Sequence, residues 1–157
     1  MHTREPDSGS PAASGAPPRT GADFRLPVRV YYEDTDAAGV VYYANYLRFC
    51  ERARTEWLRA LGFEQQALLA DQGVGFVVRS VHADYLSPAR LDDEISVVST
   101  ISGLRKASIV FQQEIRRGDE RLFTAQVVLA CVDWRRQRPV AIPAAMHQQF
   151  ESFATSA

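Results

Sequence analysis

Three carboxylates, Glu33, Asp34 and Asp36, fall within one short stretch, Tyr31-Tyr32-Glu33-Asp34-Thr35-Asp36-Ala37-Ala38-Gly39. Taken singly, each reads as turn chemistry, because acidic side chains in turns bond nearby backbone amides. Two features add a second reading. Small residues and Gly39 permit close approach to the backbone, and a helical pattern begins just downstream. A helix start offers unpaired N–H groups and a partial positive charge near residues 42–45. An anionic nucleophile or base beside donors for a developing oxyanion suits acyl transfer.

Other reactive side chains are less suggestive. Glu51 and Glu56 lie in the helical stretch and read as solvated or interface carboxylates. Cys50 falls on the apolar face of that helix and reads as core. Neither His82 nor His147 has a Cys or Ser neighbour that would suggest a triad. Trp57 and Trp134 read as packing residues. Arg105 and Lys106 occupy a tight connection between two strands, where charged residues usually form a solvated tip.

Positioning these groups falls to a regular set of elements. Residues 24–32 alternate as a strand with Val28-Arg29-Val30. A helix is predicted over 44–61, with Asn45 as N-cap and Gly62 just beyond its end. Tyr46, Phe49, Cys50, Ala53, Trp57 and Leu61 recur at three- and four-residue steps and form its apolar face. On the opposite side Arg52 and Glu56 are spaced to pair. A short helix over 64–70 precedes Gly73. The period then changes to two, predicting strands at 76–85, 94–102, 108–116 and 122–133, and Pro143 opens a last helix running to about Phe153. Connections between the last three strands are too short for crossovers, so these are antiparallel. One helix laid on an antiparallel sheet is an α+β arrangement. A single such layer leaves a sheet edge needing cover, which favours a dimer.

The stretch Val30-Tyr31-Tyr32-Glu33-Asp34-Thr35-Asp36-Ala37-Ala38-Gly39-Val40-Val41-Tyr42-Tyr43-Ala44-Asn45-Tyr46 resembles the signature of hotdog-fold acyl-CoA thioesterases. It is similar in particular to the Tol-Pal-associated branch of the 4-hydroxybenzoyl-CoA thioesterase group. Glu51-Arg52-Ala53-Arg54-Thr55-Glu56, Phe76-Val77-Val78-Arg79 and Pro88-Ala89-Arg90-Leu91-Asp92-Asp93 match that branch too. The resemblance spans residues 24–150 and implies an antiparallel sheet wrapped around one long central helix. It implies hydrolysis of short-chain or aromatic acyl-CoA to free acid and CoA. Asp36 would be the catalytic carboxylate, as nucleophile or as base toward water. The Tyr43 backbone N–H would polarise the carbonyl; some relatives carry His there. Gly39 would let the backbone pass close to substrate, while Arg105 and Lys106 would meet the phosphates of coenzyme A. Arg79 and Arg90 are weaker candidates for the same role, and Tyr31, Tyr32, Tyr42 and Tyr46 for an acyl pocket. Another hotdog branch uses a helical Glu as base.

Composition bounds the alternatives. With 157 residues and 46% of them apolar, the chain can close one core. Its 18 basic and 19 acidic residues show no basic excess, so no nucleic-acid partner is expected. No apolar run is long enough to span a bilayer. Two cysteines make no disulfide framework or zinc site alone, and the expected setting is a reducing cytoplasm. Residues 1–23 hold three Gly, four Pro, three Ser and four Ala without an apolar run. They are expected to form a disordered tail rather than a signal peptide, with the domain over 24–157. The expected partners are an acyl-CoA substrate and a second or fourth copy of the chain, homodimer or homotetramer, with acyl carrier protein as a further partner. No metal or cofactor is expected beyond the coenzyme A of the substrate. Aspartyl-phosphate phosphatases need a parallel sheet with alternating helices, which the consecutive strands contradict. Hotdog dehydratases need a His near the first turn, which is missing. A non-catalytic module that binds acyl-CoA or acyl carrier protein, or scaffolds an envelope complex, would keep the same fold and leave Asp36 idle.

Overall fold

In the computed structural model, which describes residues 23–154, the chain opens with strand β1 (Phe24–Arg29). Phe24 and Val28 point inward and Arg25 and Arg29 outward, as alternation demands. The strand stops at Arg29, short of the expected residue 32. Beyond it the Val30 N–H donates to Asp93 O at 2.9 Å and the Asp92 N–H to Val30 O at 3.0 Å, so a loop replaces the neighbouring strand. A single 3-10 turn, Tyr32–Asp34, follows. The tail expected over residues 1–23 lies outside the described residues apart from Asp23.

Helix α1 (Tyr43–Ala60) is amphipathic, burying Tyr46, Phe49, Cys50, Ala53 and Trp57. It lies against β1 and the central strands. Its C-terminus is a Schellman motif: the Gly62 N–H donates to Arg59 O at 3.0 Å and the Phe63 N–H to Leu58 O at 2.9 Å. Gly62 sits at φ +90°, a conformation other residues resist. Asn45 is not the N-cap. Tyr42 holds that place, and the Asn45 amide group is used one turn in, donating to Asp34 O at 2.9 Å. Glu56 pairs with Arg59 rather than Arg52, whose guanidinium lies 5.8 Å from the centre of the Phe49 ring.

Helix α2 (Gln65–Gln72) leads through Gly73 into β2 (Val74–Tyr85). Then come β3 (Glu94–Leu104), β4 (Ser108–Arg117) and β5 (Glu120–Asp133). A two-residue strand β6 (Arg138–Pro139), unforeseen from the sequence, folds back on β5, and α3 (Ala144–Phe153) ends the described chain. The named strands all pair antiparallel and their order is β1-β3-β4-β5-β2. Consecutive β3, β4 and β5 are neighbours as expected. β2 instead crosses to the far edge and pairs with β5, Val74 opposite Asp133 and Tyr85 opposite Phe123.

The inner face of β3 to β5 presents Ile95, Val97, Ile101, Ile109, Phe111, Phe123 and Val127 to α1. Trp57 stands at the centre, stacked on Phe24 at 5.7 Å and edge-on to Phe111 and Phe153. Trp134, expected to pack, is half exposed. The core also holds one polar strip. Arg54 donates to Gln113 Oε1 at 2.9 Å, and Gln113 Nε2 donates to Cys50 O at 3.0 Å and to Ser99 Oγ at 2.9 Å.

Candidate active site

The three carboxylates of the first turn separate by what each one touches. Asp34 is occupied: its Oδ2 accepts the Tyr31 N–H at 2.8 Å, and its carbonyl accepts the N–H of Tyr42 at 3.0 Å and the amide of Asn45. Those last two bonds fasten the turn to the start of α1. Glu33 points to solvent. Asp36 begins a tight loop in which its N–H donates to Val40 O at 2.9 Å and the Gly39 N–H to Asp36 O at 3.0 Å. Its Oδ1 accepts the Ala38 N–H at 2.8 Å, and the carboxylate is exposed in the single chain. Gly39 sits at φ +76°, which is why glycine is needed there. A Cβ on it would meet nothing within 4 Å, so close approach within this chain does not demand it.

At the mouth of α1, Tyr42 supplies no side-chain cap and the first turn holds no acidic residue. Among the described residues nothing accepts from the N–H of Tyr43 or Ala44. Both donors therefore face outward with the positive end of an 18-residue helix behind them. The loop carrying Asp36 is fixed beside this mouth by the Asp34 carbonyl on one flank and the Thr35–Val41 bridge on the other. No hydrogen bond joins Asp36 to Tyr43 directly among the described residues. Arg90 pairs with Val40 across the same loop, which places it nearer to Asp36 than the other basic candidates.

A cavity of about 340 Å³ opens beside the mouth, lined by Val41, Tyr43, Tyr46, Tyr85, Leu86 and Pro88. Of the tyrosines expected to line an acyl pocket, Tyr46 does so, and Tyr31, Tyr32 and Tyr42 are exposed. The resemblance did not single out Tyr85. It ends a strand some forty residues from the helix start, and nothing in the local pattern ties the two together. Tyr46 and Tyr85 meet edge-on at 5.3 Å, and both rings pack on Phe123.

Arg105 and Lys106 form the exposed turn after β3, where the Arg105 N–H donates to Ser108 O at 2.9 Å. They edge a wide groove of about 730 Å³ against α3. Within one chain they are far from Asp36. The Glu94 end of β3 adjoins Arg29 and the first turn, whereas Leu104 lies ten residues further along, about 33 Å of strand. Arg79 sits at the bulge of β2, exposed.

Residues 30–150 match the model of the thioesterase-like superfamily. The chain belongs to that family. It is 52% identical to the acyl-CoA thioesterase YbgC of Haemophilus influenzae over 120 residues, 76% of this chain and 88% of the relative. It is 49% identical to the acyl-CoA thioester hydrolase YbgC of Escherichia coli O6:H1 over 129 residues, 82% of this chain and 96% of the relative. Among solved structures, a probable thioesterase from Bartonella henselae superposes with a TM-score of 0.73 at 36% identity, covering 77% of this chain and 99% of that one. The curled antiparallel sheet around α1 is thus the hotdog fold of this thioesterase family.

Set in the thioesterase frame, the remaining reactive groups recede. Burial pushes the Cys50 thiol up to about 12 and the Cys131 thiol up to about 11, which leaves neither as a thiolate nucleophile at neutral pH. Glu56 is tied to Arg59, and Glu51 is exposed. His147 bonds the Arg105 carbonyl at 3.2 Å and faces Glu151 at 3.3 Å, and among the described residues no Ser or Cys hydrogen-bonds it. Among the described residues no group of His, Cys, Asp and Glu is arranged to hold a metal. No helix there is long and apolar enough to cross a membrane.

Proposed function

We propose that this chain hydrolyses acyl-CoA thioesters, releasing the free acid and coenzyme A, with short or aromatic acyl groups preferred. The observation that carries the reading is the uncapped mouth of α1, whose Tyr43 and Ala44 N–H groups lack acceptors among the described residues and stand beside the loop that carries Asp36. A thioester carbonyl placed there gains donors that strengthen as its oxygen becomes negative. Asp36 is assigned the reacting carboxylate because it stands on the loop fixed beside the mouth, whereas the Asp34 carboxylate bonds back to the Tyr31 N–H within its own turn and Glu33 points to solvent. It either removes a proton from the attacking water or attacks the carbonyl itself to form an anhydride that water opens. In both routes the C–S bond breaks, the thiolate of coenzyme A leaves, and one water is consumed. The acid takes its new oxygen from that water or, when water opens the anhydride at the aspartyl carbonyl, from Asp36, whose carboxylate the water then restores. The thiolate is a good leaving group, so no strong general acid is required. The aromatic lining of the neighbouring cavity, with Tyr43, Tyr46 and Tyr85, is what favours a flat or short acyl group.

The working unit in this reading is a homodimer closed through the free edge of β2. Val77, Val78 and Val81 are 37%, 52% and 43% exposed on that edge strand, an apolar surface that a second copy would cover. A second copy also offers a way to bring Arg105 and Lys106 to the coenzyme phosphates. The test is thiol release from a panel of acyl-CoA esters by the parent and Asp36→Asn. Loss of the carboxylate is expected to lower kcat by about 10²–10⁴, with folding intact because an asparagine Oδ1 can still accept the Ala38 N–H. Parent-level turnover by the variant would exclude Asp36 from the mechanism, and no thiol release by the parent itself would favour the binding-module alternative.

A further inference from the structure

The Tyr85 hydroxyl donates a 2.7 Å hydrogen bond to the carbonyl oxygen of Tyr43, the first residue of α1. In an α-helix that carbonyl already receives the N–H four residues on. The bond from Tyr85 is therefore surplus to what the helix needs for its own satisfaction, and it falls on the turn whose N–H groups stand unpaired. The ring that delivers it is fixed. Phe123 lies opposite Tyr85 in register on β5 and packs against it at 5.0 Å, while the buried Tyr46 ring abuts it edge-on at 5.3 Å. Tyr85 thus joins the end of the outer strand to the helix mouth across more than forty residues of sequence.

The peptide it binds links Tyr43 to Ala44. A donor on the carbonyl of a peptide draws electron density away from its N–H, and hydrogen bonds in such a chain strengthen one another by about 10–30% each. The Ala44 N–H is one of the two first-turn donors without an acceptor among the described residues. We propose that Tyr85 is a positioning residue of the thioester hydrolysis, holding and polarising the first turn of α1 through the Tyr43 carbonyl so that its amides meet the developing oxyanion. This rests on the function proposed above. Burial, with smaller contributions from Tyr43 and Tyr46, raises Tyr85 above the usual tyrosine value, so its hydroxyl keeps the proton it donates throughout the neutral range.

Tyr85→Phe keeps the ring and removes the donor. It is expected to lower kcat about tenfold, short of the 10²–10³ lost with a direct oxyanion donor, with KM unchanged. In the folded variant the amide proton resonance of Ala44 should move upfield as its peptide loses polarisation. A 4-aminophenylalanine at position 85, which keeps both ring and donor, is expected to restore most of the kcat. An unchanged kcat in Tyr85→Phe, a defect confined to KM, or no rescue by the amino analogue would each overturn the positioning role. Asp36→Asn assayed alongside separates the two levels. If the parent releases no thiol the proposed reaction itself falls; if the parent is active and Asp36→Asn inactive while Tyr85→Phe is fully active, only the role of Tyr85 falls.

Discussion

Arg54 is 7% exposed, and no carboxylate lies within ion-pair distance of it among the described residues. Burial lowers its pKa, and the guanidinium depends on the Gln113 side-chain oxygen at 2.9 Å. Gln113 is in turn held by Cys50 O and Ser99 Oγ, so one amide links the cation, the helix and β3. Replacing Gln113 by Leu leaves a buried charged donor without its acceptor, a loss worth about 2–3 kcal/mol. Urea denaturation should show that destabilisation for Gln113→Leu, and a smaller total for Gln113→Leu combined with Arg54→Met than the two single changes sum to. Legibility at this scale was uneven. Asp36 and Gly39 stand in a local turn that the residue types declare. Asn45 did not, because a cap residue and a residue reaching back to Asp34 look alike in sequence. Tyr85 and Gln113 act through partners distant in the chain, and periodicity carries no record of such pairs.

Elements bounded by local signals were read well, and those bounded by distant ones were not. The α1 helix follows from its apolar spacing and the Schellman glycine, both contained within the segment. The early end of β1 and the pairing of β2 with β5 are set by neighbours elsewhere in the chain, Asp92–Asp93 in one case and residues 123–133 in the other. The same dependence governs the loop before β3. Asp93 accepts the Arg90 N–H at 2.8 Å and the Arg117 guanidinium at 2.6 Å, and Arg117 also holds Glu120 at 2.8 Å. Burial alone would raise Asp93, but the Arg90 N–H and Arg117 outweigh it and hold the carboxyl below its usual value. Glu120 is lowered as well, chiefly by Arg117 and then by Ser87. Both carboxylates titrate lower folded than unfolded. Their stabilisation is therefore complete above the unfolded carboxylate pKa of about 4 and is lost as pH falls through their lowered values. Urea midpoints of the parent should drop over that acid range, and Arg117→Met should show a lower plateau with a shallower drop. Equal slopes for the two proteins would mean that this cluster does not set the acid limb.

The whole molecule poses a problem of distance that a single chain leaves open. Asp36 and the helix mouth occupy one end of the sheet, and Arg105 and Lys106 the other, about 33 Å of strand away. An extended coenzyme could span part of that gap, but the exposed valines of β2 favour a second solution, in which the partner copy brings its own Arg105 turn toward the mouth. The two solutions differ in a measurable way. Arg105→Ala/Lys106→Ala should raise KM with little effect on kcat, because its lost contacts are to a part of the substrate that does not change in the reaction. Asp36→Asn should be inactive whatever its substrate affinity. If each site takes Asp36 from one copy and the basic turn from the other, mixing the two variants under dissociating conditions gives mixed dimers. Each of these has one fully intact site and one doubly defective site. About a quarter of parent activity at low substrate should then return, since half the dimers are mixed and half their sites are whole. If instead the basic turn serves the site of its own chain, every site in the mixture keeps one defect and no activity beyond the average of the separate variants appears. Recovery would make the contact between copies part of catalysis rather than of stability alone.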